Sequence, residues 1–384
     1  MPLYMLYLHI NLLLSMYNLC IVKPNKSAFS ETFIQQHILH LSGNKTVLYG
    51  GNFPIYKNDD TLLIESKLGL LNYLIQKRIF KRKEISIRTQ ALVNYFKKQN
   101  IDIVLAEYGM VGAMITNACK LAGIPLVIHF HGADAHHRPT IQAHNYLQAF
   151  AYASAIIGVS EDMIQQLYEL GAPSEKLFLN PYGVDTNFFK ALAIQSNPPH
   201  FLTVGRFVEK KSPTSLVKAF ELVSKKIHQT HLWMVGHGPL FDKTKQLTQQ
   251  LGIADKITFT GVLSSAEITL LMEKMRCFVQ HSVTAADGDM EGTPVAILEA
   301  SARGLPIVST RHAGIKQAVI DTQTGFLVDE YDIETMAERM IRLASSTDLA
   351  SKMGTNARQH ILENYQINKQ ITKLDQIIRN CLLR

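Results

Sequence analysis

Two carboxylates, Glu291 and Glu299, flank the run GTPVAIL, so an acidic side chain, a glycine and a proline meet at the mouth of an apolar segment. Proline is tolerated in the first turn of a helix, where its missing N–H would have no partner anyway, so a helix is expected from about Pro294 to Arg303. The free N–H groups at its start, on Gly292, Thr293 and Val295, combine with the helix dipole to make a place for an anion. Glu291 stands just outside that end. Glu299 lies more than a turn inside, where a carboxylate can take a pair of ribose hydroxyls. The plainer alternative is a Glu291 that only satisfies the helix end and a solvated Glu299. Val295, Ala296, Ile297 and Leu298 between them argue against a fully wet face.

Other charged residues also follow apolar runs. Arg206 and Lys211, in VGRFVEKK, join a planar fork to a compact charge, a pair that suits a diphosphate; a solvated basic loop is the alternative. VGHGPL (235–240) places Gly236 and Gly238 where a backbone can approach a phosphate or base. Phe241 stands where a third glycine would be, and no acidic residue follows at the usual distance, so a dinucleotide fingerprint is not supported. Asp287-Gly288-Asp289 spells D-x-D, a fair pair of hard-cation ligands. With Arg206, Lys211 and a helix N-terminus available to neutralise a diphosphate, no metal is expected there. His136 and His137 lack a partner set for zinc.

The elements that must carry these residues alternate. HFLTVGRF (200–207), HLWMVG (231–236), KITFTG (256–261), CFVQHS (277–282), PIVST (306–310) and GFLV (325–328) read as strands, with helical spacing between them, as in 212–226 and 294–304. IDIVLAE (101–107), PLVIHFHG (125–132) and SAIIGVS (154–160) repeat the theme in the first half. Strands alternating with helices make a parallel sheet covered on both faces. The turn-rich stretch 180–200 suggests the domain boundary, and the pattern is helical from residue 330 on, ending in a helix over 367–383. Two doubly wound α/β domains facing a cleft are expected, binding ligands beyond the carboxyl ends of their strands.

Composition narrows the class. At 47% hydrophobic and 18% charged, the chain is globular rather than disordered. A net charge of +7 selects no partner by itself. Four cysteines without C-x-x-C spacing argue for a reducing compartment. The first 22 residues carry no formal charge; an opening strand or two is the simplest reading and a membrane-lying segment the other. No run is long and apolar enough to span a bilayer, so a cytoplasmic protein, or one peripheral to the cytoplasmic face of the inner membrane, is expected. Nine Lys or Arg and one acid lie between Lys67 and Lys98. Within that cluster, LGLLNYLIQKRIFKRK (68–83) can form a basic amphipathic helix for an anionic membrane surface, an ordinary surface helix being the alternative. No nucleic-acid motif is present and the basic cluster lacks interleaved stacking aromatics.

EGTPVAILE resembles the E-x7-E motif of retaining glycosyltransferases of the GT-B fold, glycosyltransferase family 4. VGRFVEKK, MVGHGP, ITFTG, PYGVDTNFF and TGFLV resemble further motifs of that family in the same order, over residues 100 to 365. The ADGDMEGTPV form resembles enzymes that assemble exopolysaccharides of the colanic acid type. The resemblance implies an N-terminal acceptor-binding domain (1–192), a C-terminal nucleotide-sugar domain (193–365) and a final helix (366–384) packing back on the first. It makes Arg206 and Lys211 the diphosphate clamp, with Gly292, Thr293, Pro294 and Val295 beside phosphate and sugar. Glu299 would hold the ribose, Glu291 the hydroxyls of the transferred sugar, and Gly236 and Val262 would lie near the base. His131, in HFHGAD, matches the family's active-site histidine. Transfer from a UDP- or GDP-sugar to a saccharide on a polyprenyl diphosphate is implied, with retention of configuration and no cofactor. KPNKSAFSETF (23–33) replaces the paired-glycine loop common in the family, and Gln317 stands where many relatives have Glu. Competing readings are a non-catalytic sugar-nucleotide-binding partner of another transferase and a nucleotide-sugar epimerase or phosphorylase. An epimerase would need general-base carboxylates without an acceptor, and a phosphorylase a cofactor lysine.

Overall fold

The computed structural model describes residues 17–26, 31–80 and 86–383. The expectations for the first 16 residues, for 27–30 of the KPNKSAFSETF loop and for the basic run 81–83 therefore lie outside the described residues. The chain forms two compact units. The first comprises Met1–Val159, Met163–Asn180 and Ile371–Arg384, the second Ser160–Asp162 and Pro181–Gln370.

In the first unit β1 (Asn18–Val22), β2 (Asn44–Tyr49), β3 (Tyr56–Lys57), β4 (Ile103–Glu107), β5 (Leu126–His129), β6 (Ala155–Gly158) and β7 (Leu177–Leu179) form a seven-stranded sheet in the order 3-2-1-4-5-6-7. All pairings are parallel except β2 with β3. Every residue of β4, β5 and β6 is buried. Such strands are apolar runs without alternation because helices cover both faces. The order reverses between β1 and β4, which places the crevice for a ligand beyond Val22 and Glu107. The final helix, Ile367–Leu382, buries Ile371, Leu374, Ile378 and Cys381 on one face. Asp375 on this helix takes hydrogen bonds from Tyr17 Oη and Ser42 N at 3.0 Å each, which fastens it to the first unit.

In the second unit β8 (His200–Val204), β9 (His231–Val235), β10 (Ile257–Gly261), β11 (Cys277–Gln280), β12 (Ile307–Thr310) and β13 (Gly325–Val328) pair in the order 10-9-8-11-12-13. The reversal falls between β8 and β11. The helix Pro213–Lys226 buries Leu216, Val217, Phe220 and Val223 and packs on Ile333–Ser345. The chain enters this unit at Pro181, earlier than the expected 192/193 boundary. Segment 181–199 is bonded to the second unit throughout: Val184 N donates to Tyr365 O at 2.8 Å, Leu192 N to Arg303 O at 2.9 Å, and Arg276 Nε to Asn197 O at 3.0 Å.

Two expected helices are shorter. The one at the E-x7-E run spans Val295–Ala302, because Pro294 keeps an extended backbone (φ −64°, ψ 114°) and acts as the N-cap instead of the first helical residue. The basic one spans Lys67–Arg78, with the Ser66 side chain accepting from Gly69 N at 3.3 Å. Among the described residues no helix is long and apolar enough to cross a membrane.

Candidate active site

The chemistry of the second unit gathers in the loops after β8 and β11, the two strands at its switch point. After β8, a 3-10 turn at Glu209–Lys211 separates two adjacent lysines. Lys210 Nζ reaches Asp289 Oδ1 and Met290 O, each at 2.9 Å. Lys211 Nζ pairs with Glu291 Oε2 at 3.2 Å. Glu209 Oε1 accepts from Ala286 N at 2.9 Å, so the two loops are stitched along their length. Arg206 is exposed and makes no ion pair among the described residues. Gly236 (φ 128°) crosses against the Gly205 carbonyl so closely that any side chain there would overlap it, which sets the VGHGPL loop beside the β8 loop. Val262, after β10, is exposed.

Glu291 is 7% exposed. Burial would raise its pKa, but Lys211, Lys210 and His312 outweigh this and keep it lowered, so it stays charged. Its Oε2 is taken by Lys211, whereas Oε1 is buried without a hydrogen-bond partner among the described residues. A buried acceptor left in that state is a liability for folding that a donor hydroxyl would remove. Beside it, no side chain caps the helix Val295–Ala302. Glu299, one turn on, has no offsetting cation among the described residues, and burial pushes its carboxyl up to about 8. The structure thus brings Glu291, Gly292 to Val295 and Glu299 onto one loop and helix, with Arg206 and Lys211 on the neighbouring loop after β8. Of the D-x-D pair, Asp289 is neutralised by Lys210, and Asp287 Oδ1 accepts from Asp289 N at 3.0 Å. Gln317 sits on the short helix Ile315–Ala318, its Oε1 buried without a partner.

His131 belongs to the first unit, beyond β5. Its backbone N–H and that of Gly132 each donate to Asp134 Oδ1 at 2.9 Å, and Asp134 Oδ2 accepts from Gly109 N at 2.8 Å, so HFHGAD folds around its own aspartate. The ring Nε2 lies 2.8 Å from Glu107 Oε2. His37, Glu107 and His129 present ligand atoms within 4.8 Å of one another and form the group among the described residues with spacing for a metal ion.

Residues 184–360 match the family described as glycosyl transferases group 1, and residues 71–188 match glycosyltransferase family 4. The amylovoran biosynthesis glycosyltransferase AmsK of Erwinia amylovora is 30% identical over 274 residues, 68% of this chain and 67% of that protein. The chain belongs to glycosyltransferase family 4. The colanic acid biosynthesis glycosyltransferase WcaL of Escherichia coli K12 is 28% identical over 287 residues, 72% of this chain and 71% of its own length. HepE of Anabaena, solved with UDP and glucose, superposes with a TM-score of 0.74 at 16% identity, covering 95% of this chain and all of its own. That likeness shows the GT-B fold.

Sequence reasoning missed the support behind Glu291. In this glycosyltransferase Glu291 N donates to His312 Nε2 at 3.2 Å, and His312 Nδ1 donates to Glu330 Oε1 at 2.6 Å. Glu330 Oε2 accepts from Thr284 N at 2.9 Å. Three loops, after β11, β12 and β13, are tied together through one buried imidazole whose tautomer Glu330 fixes. Gly314 N also donates to Gly292 O at 3.1 Å, in a space where a side chain would strike that carbonyl. Displacing a reacting group by an ångström costs up to ~100-fold in rate. Glu330→Ala is therefore expected to lower kcat/KM about 10-fold or more by this argument, and Glu330→Gln to recover part of it. Steady-state kinetics check this; unchanged kcat/KM in Glu330→Ala would show that the tie does not matter.

Proposed function

We propose that this protein transfers a hexose, with retention of anomeric configuration and without a metal ion, from a UDP- or GDP-sugar to a lipid-linked saccharide in exopolysaccharide synthesis. The observation that carries the reading is Glu291: a buried, charged carboxylate with one oxygen on Lys211 and the other without a donor. It stands at an uncapped helix N-terminus that also carries Glu299. Such a place suits a sugar hydroxyl beside a diphosphate. Arg206 and Lys211 supply the charge that a departing nucleoside diphosphate needs, so stabilising the leaving group is electrostatic and preorganised. The Lys210–Asp289 pair supports the metal-free reading, since a carboxylate already neutralised is a poor ligand for a hard cation. His131 acts beside the reacting sugar as a shaper or proton relay. Colanic acid and amylovoran relatives support the exopolysaccharide role, and HepE, solved with UDP and glucose, supports a nucleotide-sugar donor.

A lipid-linked acceptor would be met at a membrane. The helix Lys67–Arg78 and the two residues after it expose Leu68, Leu71, Ile79 and Phe80 alongside Lys77 and Arg78, the combination that settles on anionic lipid.

The test is a panel of UDP- and GDP-sugars in EDTA, with product configuration read by NMR and the protein floated with anionic and neutral liposomes. Turnover of one donor with retained configuration is expected, together with flotation on anionic vesicles. Activity only with added Mn²⁺ would overturn the metal-free mechanism, and inverted product the retaining one. Tight nucleotide binding without turnover, even with a lipid-linked acceptor supplied, would favour a non-catalytic partner of another transferase.

A further inference from the structure

One wholly buried charge in the first unit is not used by the mechanism above. Glu107, the last residue of β4, is wholly buried. Its Oε1 accepts from His37 Nδ1 and its Oε2 from His131 Nε2, each at 2.8 Å. His37 comes from the helix Thr32–His40 and is 5% exposed; the His131 side chain is 2% exposed. Burial alone would raise the Glu107 pKa, but His37 and His131 hold it well below the usual carboxylate range. Both carboxylate oxygens are thus committed to imidazoles, one from each side.

The surroundings keep this arrangement rigid. Tyr108, the next residue, has φ 81° and ψ 141°, outside the regions an aromatic residue adopts freely. Its N–H donates to His129 O at 2.8 Å and its hydroxyl to Glu31 at 3.1 Å, so tertiary bonds hold the strained backbone. Strain of this kind persists only where the surroundings over-determine it, and it clusters at working sites. His129 stacks on His37 with ring centroids 5.2 Å apart, and Phe33 lies 4.5 Å from the His131 ring. Lys23, buried beyond β1, faces Glu107 and Glu31. Glu107 ends β4 and Lys23 follows β1, the two strands at the switch point of the sheet.

We propose that Glu107, braced by His37, is the positioning residue for His131: it fixes the orientation of the ring and holds a proton on Nε2. The logic is that of a carboxylate orienting a histidine in a hydrolytic triad, here with a second histidine holding the carboxylate from behind. The inference rests on the reading of His131 as an active-site group.

Glu107→Gln tests it. The amide keeps the shape but offers one acceptor oxygen, so one of the two histidines loses its acceptor. A fall in kcat of about 10- to 100-fold is expected, at or below the low end of the ~10²–10⁴-fold that general acid–base groups contribute because the residue acts through another, with donor KM little changed. If Glu107 works through His131, Glu107→Gln in a His131→Asn background adds almost nothing, since residues acting as a unit are not additive. An effect of His131→Asn with additive Glu107→Gln would overturn the proposal while leaving His131 in the mechanism. No effect of His131→Asn would remove the reading on which it rests. If Glu107→Gln fails to fold, His37→Gln in the same cycle takes its place, with a smaller loss of the same kind expected. Independently of activity, long-range ¹⁵N–¹H NMR of the imidazoles should show Nε2–H at His131 and Nδ1–H at His37, with one signature lost in the variant. Stoichiometric zinc in the purified protein, lost in His37→Gln, would overturn the proposal in favour of a metal site at His37, Glu107 and His129.

Discussion

Lys211→Met is expected to lower kcat/KM by about 100- to 1,000-fold, the scale seen when one stabilising group for transition-state charge is removed. It should also destabilise the protein by ~3–5 kcal/mol, because removing one partner of a buried pair strands the other charge. The stranded group is Glu291, whose Oε1 already lacks a partner. Adding Glu291→Gln removes that charge and should restore most of the lost stability and none of the lost activity. The two readouts therefore separate: the pair costs little to delete together for folding, and everything for transfer. Denaturant melts and progress curves on the two single variants and the double variant check it. A double variant no more stable than Lys211→Met would mean that the two side chains are not energetically coupled. The pH sign follows from the lowered pKa of Glu291. Its contribution to stability is present above the unfolded carboxyl value of ~4.3 and is lost as pH falls through the folded value.

Glu299 runs the other way. Its folded pKa is raised to about 8 from 4.5, so the native protein holds a proton that the unfolded chain has released over that interval. Stability from this group is fully present below the unfolded value and is lost as pH rises through the folded one. Glu299→Gln cannot ionise, so its stability should match that of the native protein near pH 4.5 and exceed it increasingly toward pH 8.5, by up to about 4–5 kcal/mol for a shift of that size. The same substitution should cost about 100-fold in kcat/KM for the donor, since a charged hydrogen bond is worth ~1.5–3 kcal/mol. If Glu299 holds the ribose as proposed, nucleotide affinity of the native protein should rise with pH through about 8, because hydroxyls donate to the ionised form. A gap in melting temperature that does not widen with pH, or full activity in the variant, would contradict this account.

The sheets were readable because fully buried strands betray themselves as short apolar runs; GFLV spans all of β13, Gly325–Val328. The Glu291–Glu299 helix was readable because both carboxylates and the proline lie within a few residues of one another. What could not be read is what distance in sequence hides. Glu107 meets His131 across 24 positions and His37 across 70, and in the linear chain it is one acid at the end of one strand. Glu330 meets Thr284 across 46. Lys210 and Lys211 look equivalent side by side, and only the 3-10 turn that carries them sends one to Asp289 and the other to Glu291. Where within 180–200 the boundary falls was hidden for a related reason. Segment 181–199 has no period of its own, and its allegiance is decided by bonds to Tyr365, Arg303 and Arg276 far along the chain.

The last helix begins in the second unit and ends in the first, with residues 371–384 counted among the first unit's own. On the ribosome the second unit, nearly contiguous from Pro181 to Gln370, is therefore the first whose parts have all been made. The first unit, although it opens the chain, waits for the closing residues before Asp375 can meet Tyr17 and Ser42 and before Leu374 and Ile378 can be covered. Domains usually mature in the order of synthesis. In this chain the order of completion is reversed, and a nascent first unit stays unfinished until the segment Ile371–Arg384 has been made.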